Sequence, residues 1–207
     1  MPQSNAFKFA NNILTNGGYD AADLVGAADD YVLLATTDIT SSTASVSFDG
    51  YFSATYKTYQ VLVSNWIPVT NDVSLRIRIR RSNADVTSSN YRFSKVALSL
   101  GSDGTQGVTG HGQWNADHIN LTYYGAGNTT SYGGASIDAK IFNPLNSSSR
   151  KSLTANFHLP SRNDQNTADY NILGASLYDN TDAWSGITFY VNSGNIASGN
   201  FKLYGIK

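Results

Sequence analysis

"DVSLRIRIRR", residues 72–81, is the stretch that decides the fold class. Val73, Leu75, Ile77 and Ile79 alternate with Ser74, Arg76, Arg78 and Arg80. Successive side chains of a strand point to opposite faces, so one face of this segment is apolar and the other carries a row of guanidinium groups. The apolar face belongs to a core. The row of Arg76, Arg78 and Arg80 has three readings: a solvated outer face, a subunit contact matched by Asp residues, or a polyanion site. No other basic patch in the sequence extends it.

Outward from this strand the same short runs recur, with turn residues between them. "YVLLATT" (31–37), "TASVSFDGYF" (43–52) and "TYQVLVSN" (58–65) precede it. "INLTYYG" (119–125), "GASIDAKIFNP" (134–144), "SLTANFHLP" (152–160), "YNILGASLY" (170–178), "GITFYVN" (186–192) and "GNFKLYGIK" (199–207) follow. "NYRFSKVALSL" (90–100) fits either a strand or a helix. Regular strands without crossover helices predict an antiparallel β-sandwich or barrel, and at this strand count a jelly-roll-like sandwich is the first choice.

Composition agrees. Of 207 residues only 14% are charged, about half the usual quarter. Polarity comes instead from Asn, Ser, Thr, Gly and 13 Tyr, a palette of strands and turns. Glu is absent and every acid is Asp, a turn and cap residue, not a helix former. The net charge of −1 gives no whole-molecule attraction to nucleic acid or anionic membrane. Without Cys there is neither a disulfide framework nor a thiolate metal site.

The first 30 residues read differently. "SNAFKFANNILT" (4–15) predicts a short helix, capped by Ser4 or Asn5 and stopped by Asn16-Gly17-Gly18. Phe7, Phe9, Ile13 and Leu14 supply its apolar stripe. A second short helix fits "DAADLVGAA" (20–28). So brief a helix is marginal alone. It packs either on its own domain or, as an attachment arm, on a neighbouring subunit. The expected division is an arm over 1–30 and a sandwich over 31–207. The start lacks the basic and apolar regions of a signal peptide, and no run is long enough for a membrane span, so synthesis in a cytoplasm and no membrane insertion are expected.

Chemistry is sparsely marked. The three histidines, His111, His118 and His158, match no zinc spacing, and there is no G-x-S-x-G. Asp29-Asp30 and Asp103-Gly104 read as turns, and no Asp pair stands out for glycoside hydrolysis. Asp20, Asp23, Asp29 and Asp30 match no calcium loop. Phosphate and dinucleotide fingerprints are missing. The expectation is a protein that is not an enzyme and needs no cofactor. Two stretches read as exposed loops: "LGSDGTQGVTGHGQWN" (100–115) and "GAGNTTSYGG" (125–134). Trp66, Trp114, Tyr123, Tyr124, Tyr132 and Trp184 fall in or beside expected loops. For each, core or loop packing stands against ligand stacking; Trp114, Tyr124 and Tyr132 are the candidate sugar-stacking platform.

Residues 47–80, "SFDGYFSATYKTYQVLVSNWIPVTNDVSLRIRIR", and 184–207, "WSGITFYVNSGNIASGNFKLYGIK", resemble small virion proteins of tailed bacteriophages, common among phages of cyanobacteria and marine bacteria. The shared pattern is Phe52, Tyr56 and Tyr59 leading into a strand, the apolar–Arg alternation of Leu75 to Arg80, and the ending from Ser193 to Gly205. The resemblance implies a virion β-sandwich: a fibre, a tail or neck appendage, or a head decoration (cement) protein. By family habit it implies a homo-oligomer, with a trimer favoured. Other virion proteins would be met through the N-terminal arm, a host surface glycan through the loops, and release would come by lysis. It carries over no catalytic residues. A carbohydrate-binding module and a glycan hydrolase are the alternatives. The closing strand of "FYVNSGNIASGNFKLYGIK" (189–207) is expected to be buried in the sheet, which leaves attachment to the N-terminus.

Overall fold

The computed structural model describes residues 30–122, 124–160 and 168–207. The expected arm, with Phe7, Phe9, Ile13 and Leu14, and Tyr123 lie outside the described residues.

Among the described residues, thirteen strands form two antiparallel sheets. They are β1 (Tyr31–Ile39), β2 (Ser45–Asp49), β3 (Thr58–Pro68), β4 (Leu75–Arg81), β5 (Ala84–Asp85), β6 (Tyr91–Gly101), β7 (Gln106–Ala116), β8 (Ile119–Asn120), β9 (Ala135–Phe142), β10 (Lys151–Leu159), β11 (Ala168–Tyr178), β12 (Gly186–Val191) and β13 (Ile196–Ile206). The larger sheet has the order β1-β13-β3-β9-β10-β11-β6-β7, eight strands. The smaller runs β2-β12-β4-β5, with β8 also paired to β4. The first four strands alternate between sheets, and β13 and β12 each fill the gap between two of them.

One apolar cluster lies between the sheets, which makes the molecule a β-sandwich. β4 behaves as its alternation predicts: Leu75, Ile77 and Ile79 are fully buried and the arginines face out. Ile77 sits across from Phe189 of β12. Phe189 meets Phe201 of β13 at 5.5 Å between ring centroids, joining the two sheets. Polar atoms that enter the core are satisfied only in part: the indole N–H groups of Trp66 and Trp184 have no hydrogen-bond partner among the described residues. The Tyr91 hydroxyl, from the larger sheet, donates to the Val86 carbonyl at 2.7 Å and accepts from the Ile79 amide at 3.2 Å. Gly194, at φ +74°, makes the turn between β12 and β13, where a side chain would be strained.

One sequence expectation needs correction, and two open readings are decided. Residues 106–116, expected as a loop, are strand β7, hydrogen-bonded to β6 and forming an edge of the larger sheet. Its glycines permit this: a Cβ on Gly112 would lie 2.9 Å from the Phe93 carbonyl oxygen. Residues 91–101, ambiguous in sequence, are β6. Trp66 and Trp184 are core residues, each 1% exposed: Trp66 packs on Phe157 at 6.3 Å and Trp184 on Tyr178 at 6.1 Å. Residues 125–134 do form a connection, with one 3-10 turn over Thr130–Tyr132.

Candidate functional site

The two outward faces of the sandwich differ. On the smaller sheet, the arginine row meets acids of the same chain. Arg80 reaches Asp49 at 3.0 Å and Asp85 at 2.7 Å, and donates to the Thr188 hydroxyl at 3.0 Å and the Asn83 carbonyl. Ser185 donates to the other oxygen of Asp49 at 2.7 Å. Burial alone would raise the Asp49 carboxyl, but Ser185 and Arg80 outweigh it and hold it below its usual value. Arg80 is raised for the same reason: burial opposes its charge, and Asp49 and Asp85 more than compensate. Arg78 pairs with Asp117 at 2.5 Å and lies 4.7 Å from the Tyr190 ring centroid. Asp117 also takes a 2.6 Å contact from His118, the largest of the causes that lower its carboxyl. Arg76 shares this face but forms no ion pair with a described acid. Arg78 and Arg80 are therefore matched by acids of this chain, and Arg76 is not.

On the larger sheet, an open groove of about 450 Å³ crosses the outward face of β13, β3, β9, β10 and β11. The strand register builds its floor in rows. Asn171, His158 and Ser136 are direct neighbours on β11, β10 and β9. Asn156, Asp138, Leu62 and Lys202 form the next row, on β10, β9, β3 and β13. Asn200 stands opposite Ser64. Asn156, Asn171, His158, Ser136 and Ser64 make no side-chain hydrogen bond to another described residue. Asp138 accepts from the Gln60 amide at 2.5 Å, and Asn200 donates to Asp38. Tyr204 closes one end, its ring 5.3 Å from that of Tyr31. Burial, then the nearby Asp138 carboxylate, raises the Tyr31 phenol.

Beside this groove the same face turns apolar. Leu98, Leu100 and Val108, from β6 and β7, line a second groove of about 370 Å³ that shares His158 and Asn171 with the first. Val108 is 73% exposed, and Leu98, Leu100 and Leu173 are exposed as well.

The three aromatics expected to form a platform are separated. Trp114 lies on β7 with the Arg92 guanidinium 3.5 Å from its ring centroid. Tyr124 packs on Tyr170 of β11 at 4.5 Å, and Tyr170 pairs with Ser99 of β6. Arg92 and Ser99 are seven residues apart on one strand, or roughly 23 Å. Tyr132 is half-buried in its 3-10 turn. None of the three lines the large groove. Sequence reasoning missed the groove because each strand contributes only one to three of its residues. The Asn and Ser content was visible, but only the topology aligns it.

Two lysines are buried. Lys95 donates to the carbonyls of Asn120, at 2.9 Å, and Thr122, and burial brings its pKa down to about 7. Lys151 donates to the Thr181 carbonyl and is lowered by the same cause. Lys95 ties β6 to β8 and the residues after it, and Lys151 ties β10 to the loop at Thr181. Among the described residues, no group of three or more His, Cys, Asp or Glu is placed to hold a metal ion, and no helix is long and apolar enough to cross a membrane. Comparison with protein-family models, with curated proteins and with solved structures finds no match.

Proposed function

We propose that this chain is a non-enzymatic structural protein of a tailed-phage virion, a fibre or a tail or neck appendage that assembles as a homo-oligomer. The observation that carries assembly is the exposed apolar strip of Leu98, Leu100, Val108 and Leu173 beside edge strand β7. Exposed apolar patches mark contact surfaces, and an uncovered edge strand offers unpaired amides and carbonyls to another chain. The partner is a second copy of the chain, a trimer in keeping with the family resemblance. The alternation of β1-β13-β3-β9 in one sheet with β2-β12-β4-β8 in the other is what a jelly roll of two Greek keys produces. In this reading the larger sheet is extended beyond that jelly roll by β10, β11, β6 and β7. Residues 1–30 serve as the attachment arm through Phe7, Phe9, Ile13 and Leu14.

The test has two parts. Peptides of this chain should be found in fixed stoichiometry in purified particles, and antibody labelling should place it on the tail or neck. Labelling over the head would make it a decoration protein instead, and absence from particles would end the virion reading. The full-length chain should sediment as an oligomer, and Val108→Asp with Leu98→Asp should yield folded monomers. If the doubly substituted chain stays oligomeric, the strip is not the contact.

A further inference from the structure

We propose that the groove across β13, β3, β9, β10 and β11 is a carbohydrate-binding site that takes an extended, largely neutral oligosaccharide. The inference does not depend on where the protein is located.

The donor set is the first reason. Asn156, Asn171, Ser136, Ser64 and His158 line the groove and spend no side-chain hydrogen bond on another described residue. An amide offers two N–H donors and an acceptor, and a hydroxyl offers both roles. Vicinal hydroxyls of a pyranose present the same mixture. Asn and Ser are also short, so ordering them on a strand costs little side-chain entropy.

The charge is the second reason. Lys202 and Asp138 occupy one row, separated only by Leu62, and their charges offset. A nucleic acid or polyphosphate would require an excess of cations. The large cationic side chains Arg76, Arg78 and Arg80 are on the other sheet.

The third reason is where the groove sits. It crosses the face of a sheet whose backbone amides and carbonyls are engaged in the ladder, so it cannot add a peptide strand as a sheet edge does. Recognition must come from side chains. Tyr204, steadied by Tyr31 at 5.3 Å, supplies an aromatic surface at one end for the apolar side of a sugar ring. The five strands span about 19 Å, enough for several linked rings. The volume of about 450 Å³ falls in the range of roughly 300–1,000 Å³ typical of ligand pockets.

The experiment uses the full-length chain on an array of bacterial O-antigen, capsular and algal polysaccharides, followed by titration with the best array ligand. Wild type is expected to bind a related subset. Asn156→Ala with Asn171→Ala should weaken binding at least tenfold, and Tyr204→Ala should do the same, while circular dichroism and sedimentation stay as in wild type. Trp114→Ala should bind normally. No binding by wild type to any polysaccharide on the array overturns the proposal. So does binding that survives Asn156→Ala with Asn171→Ala, or binding that Trp114→Ala abolishes. If Val108→Asp with Leu98→Asp gives monomers that still bind, the groove acts within one chain. If oligomers persist but sugar binding is absent, the assembly reading survives and this one fails.

Discussion

The outer face of the smaller sheet and the outer face of the larger one solve the same problem in opposite ways. Both cover an apolar core with polar side chains. On the smaller sheet those side chains bind one another: Arg80 alone engages Asp49, Asp85 and Thr188. On the larger sheet Asn156, Asn171, His158 and Ser136 engage no described side chain. A charge held among its partners contributes to holding the fold together. Polar groups left open contribute little to folding and remain available for a ligand. The face that carries the obvious sequence signal, the arginine row, is thus the closed one.

The contrast can be broken most directly at Arg80. Arg80→Leu strands Asp49 and Asp85 in a half-buried site and should cost about 3 kcal/mol at pH 7 by urea denaturation. A loss below about 1 kcal/mol would mean that the cluster is a surface ornament and that the two faces do not differ.

The next effect is one of pH, and it concerns the core between the faces. Between pH 7 and about 10.5 the unfolded chain keeps a proton on Lys95 that the folded chain has released. Stability therefore rises with pH through that window. Burial raises Tyr91 and Tyr190, so their phenols stay protonated in the fold, and stability falls again above about pH 10 as the unfolded tyrosines ionise. Urea midpoints measured from pH 6.5 to 9.5 should climb in wild type and climb much less in Lys95→Met, where only the lowered Lys151 still adds to the rise. An undiminished climb in Lys95→Met would assign it to another group.

At the acid end the Asp49 and Asp117 carboxyls, both lowered in the fold, contribute stability that is present above about pH 4 and lost as pH falls through their folded values. Thermal scans from pH 6 to 2.5 should show this loss, and Arg80→Leu should shrink it. A smaller change is expected at Arg78, whose partner Asp117 is half-exposed: Arg78→Ala should cost about 1 kcal/mol. Smallest of all, Asn156→Ala with Asn171→Ala should leave stability within about 0.5 kcal/mol of wild type. A larger loss would show that these amides hold the fold and would remove the contrast from the other side.

Much of the fold can be read from residues 72–81 and the strands around them, because alternation of period two has one geometric meaning. Val73, Leu75, Ile77 and Ile79 are all buried as that pattern requires. Strand β7 could not be read this way. Five glycines between 101 and 112 erase the alternation, and the property that makes them useful, close approach to β6, leaves no side-chain signal. Trp66 and Trp184 stand next to turn residues, so sequence leaves them open between core or loop packing and an exposed platform; three-dimensional packing puts both in the core. The groove was illegible because Ser64 and Asn200 join the β9–β10–β11 residues Ser136, Asn156 and Asn171 only through the order β13-β3-β9, which is unrelated to chain order.

That strand order also sets a timetable. β12 lies between β2 and β4, and β13 between β1 and β3. Until residues 186–206 leave the ribosome, each sheet is missing an interior member, and β1 and β2 have no partner at all on one side of the gap. Hairpins such as β6–β7 and the β9–β10–β11 meander can form early from local contacts. The sandwich as a whole cannot close until β12 and β13 have been synthesised. Long-range pairing of this kind folds slowly and leaves unpaired strands exposed in the interval. A nascent chain of this protein is therefore a natural client for holding factors, and a chain truncated before β12 is expected to aggregate rather than fold in part.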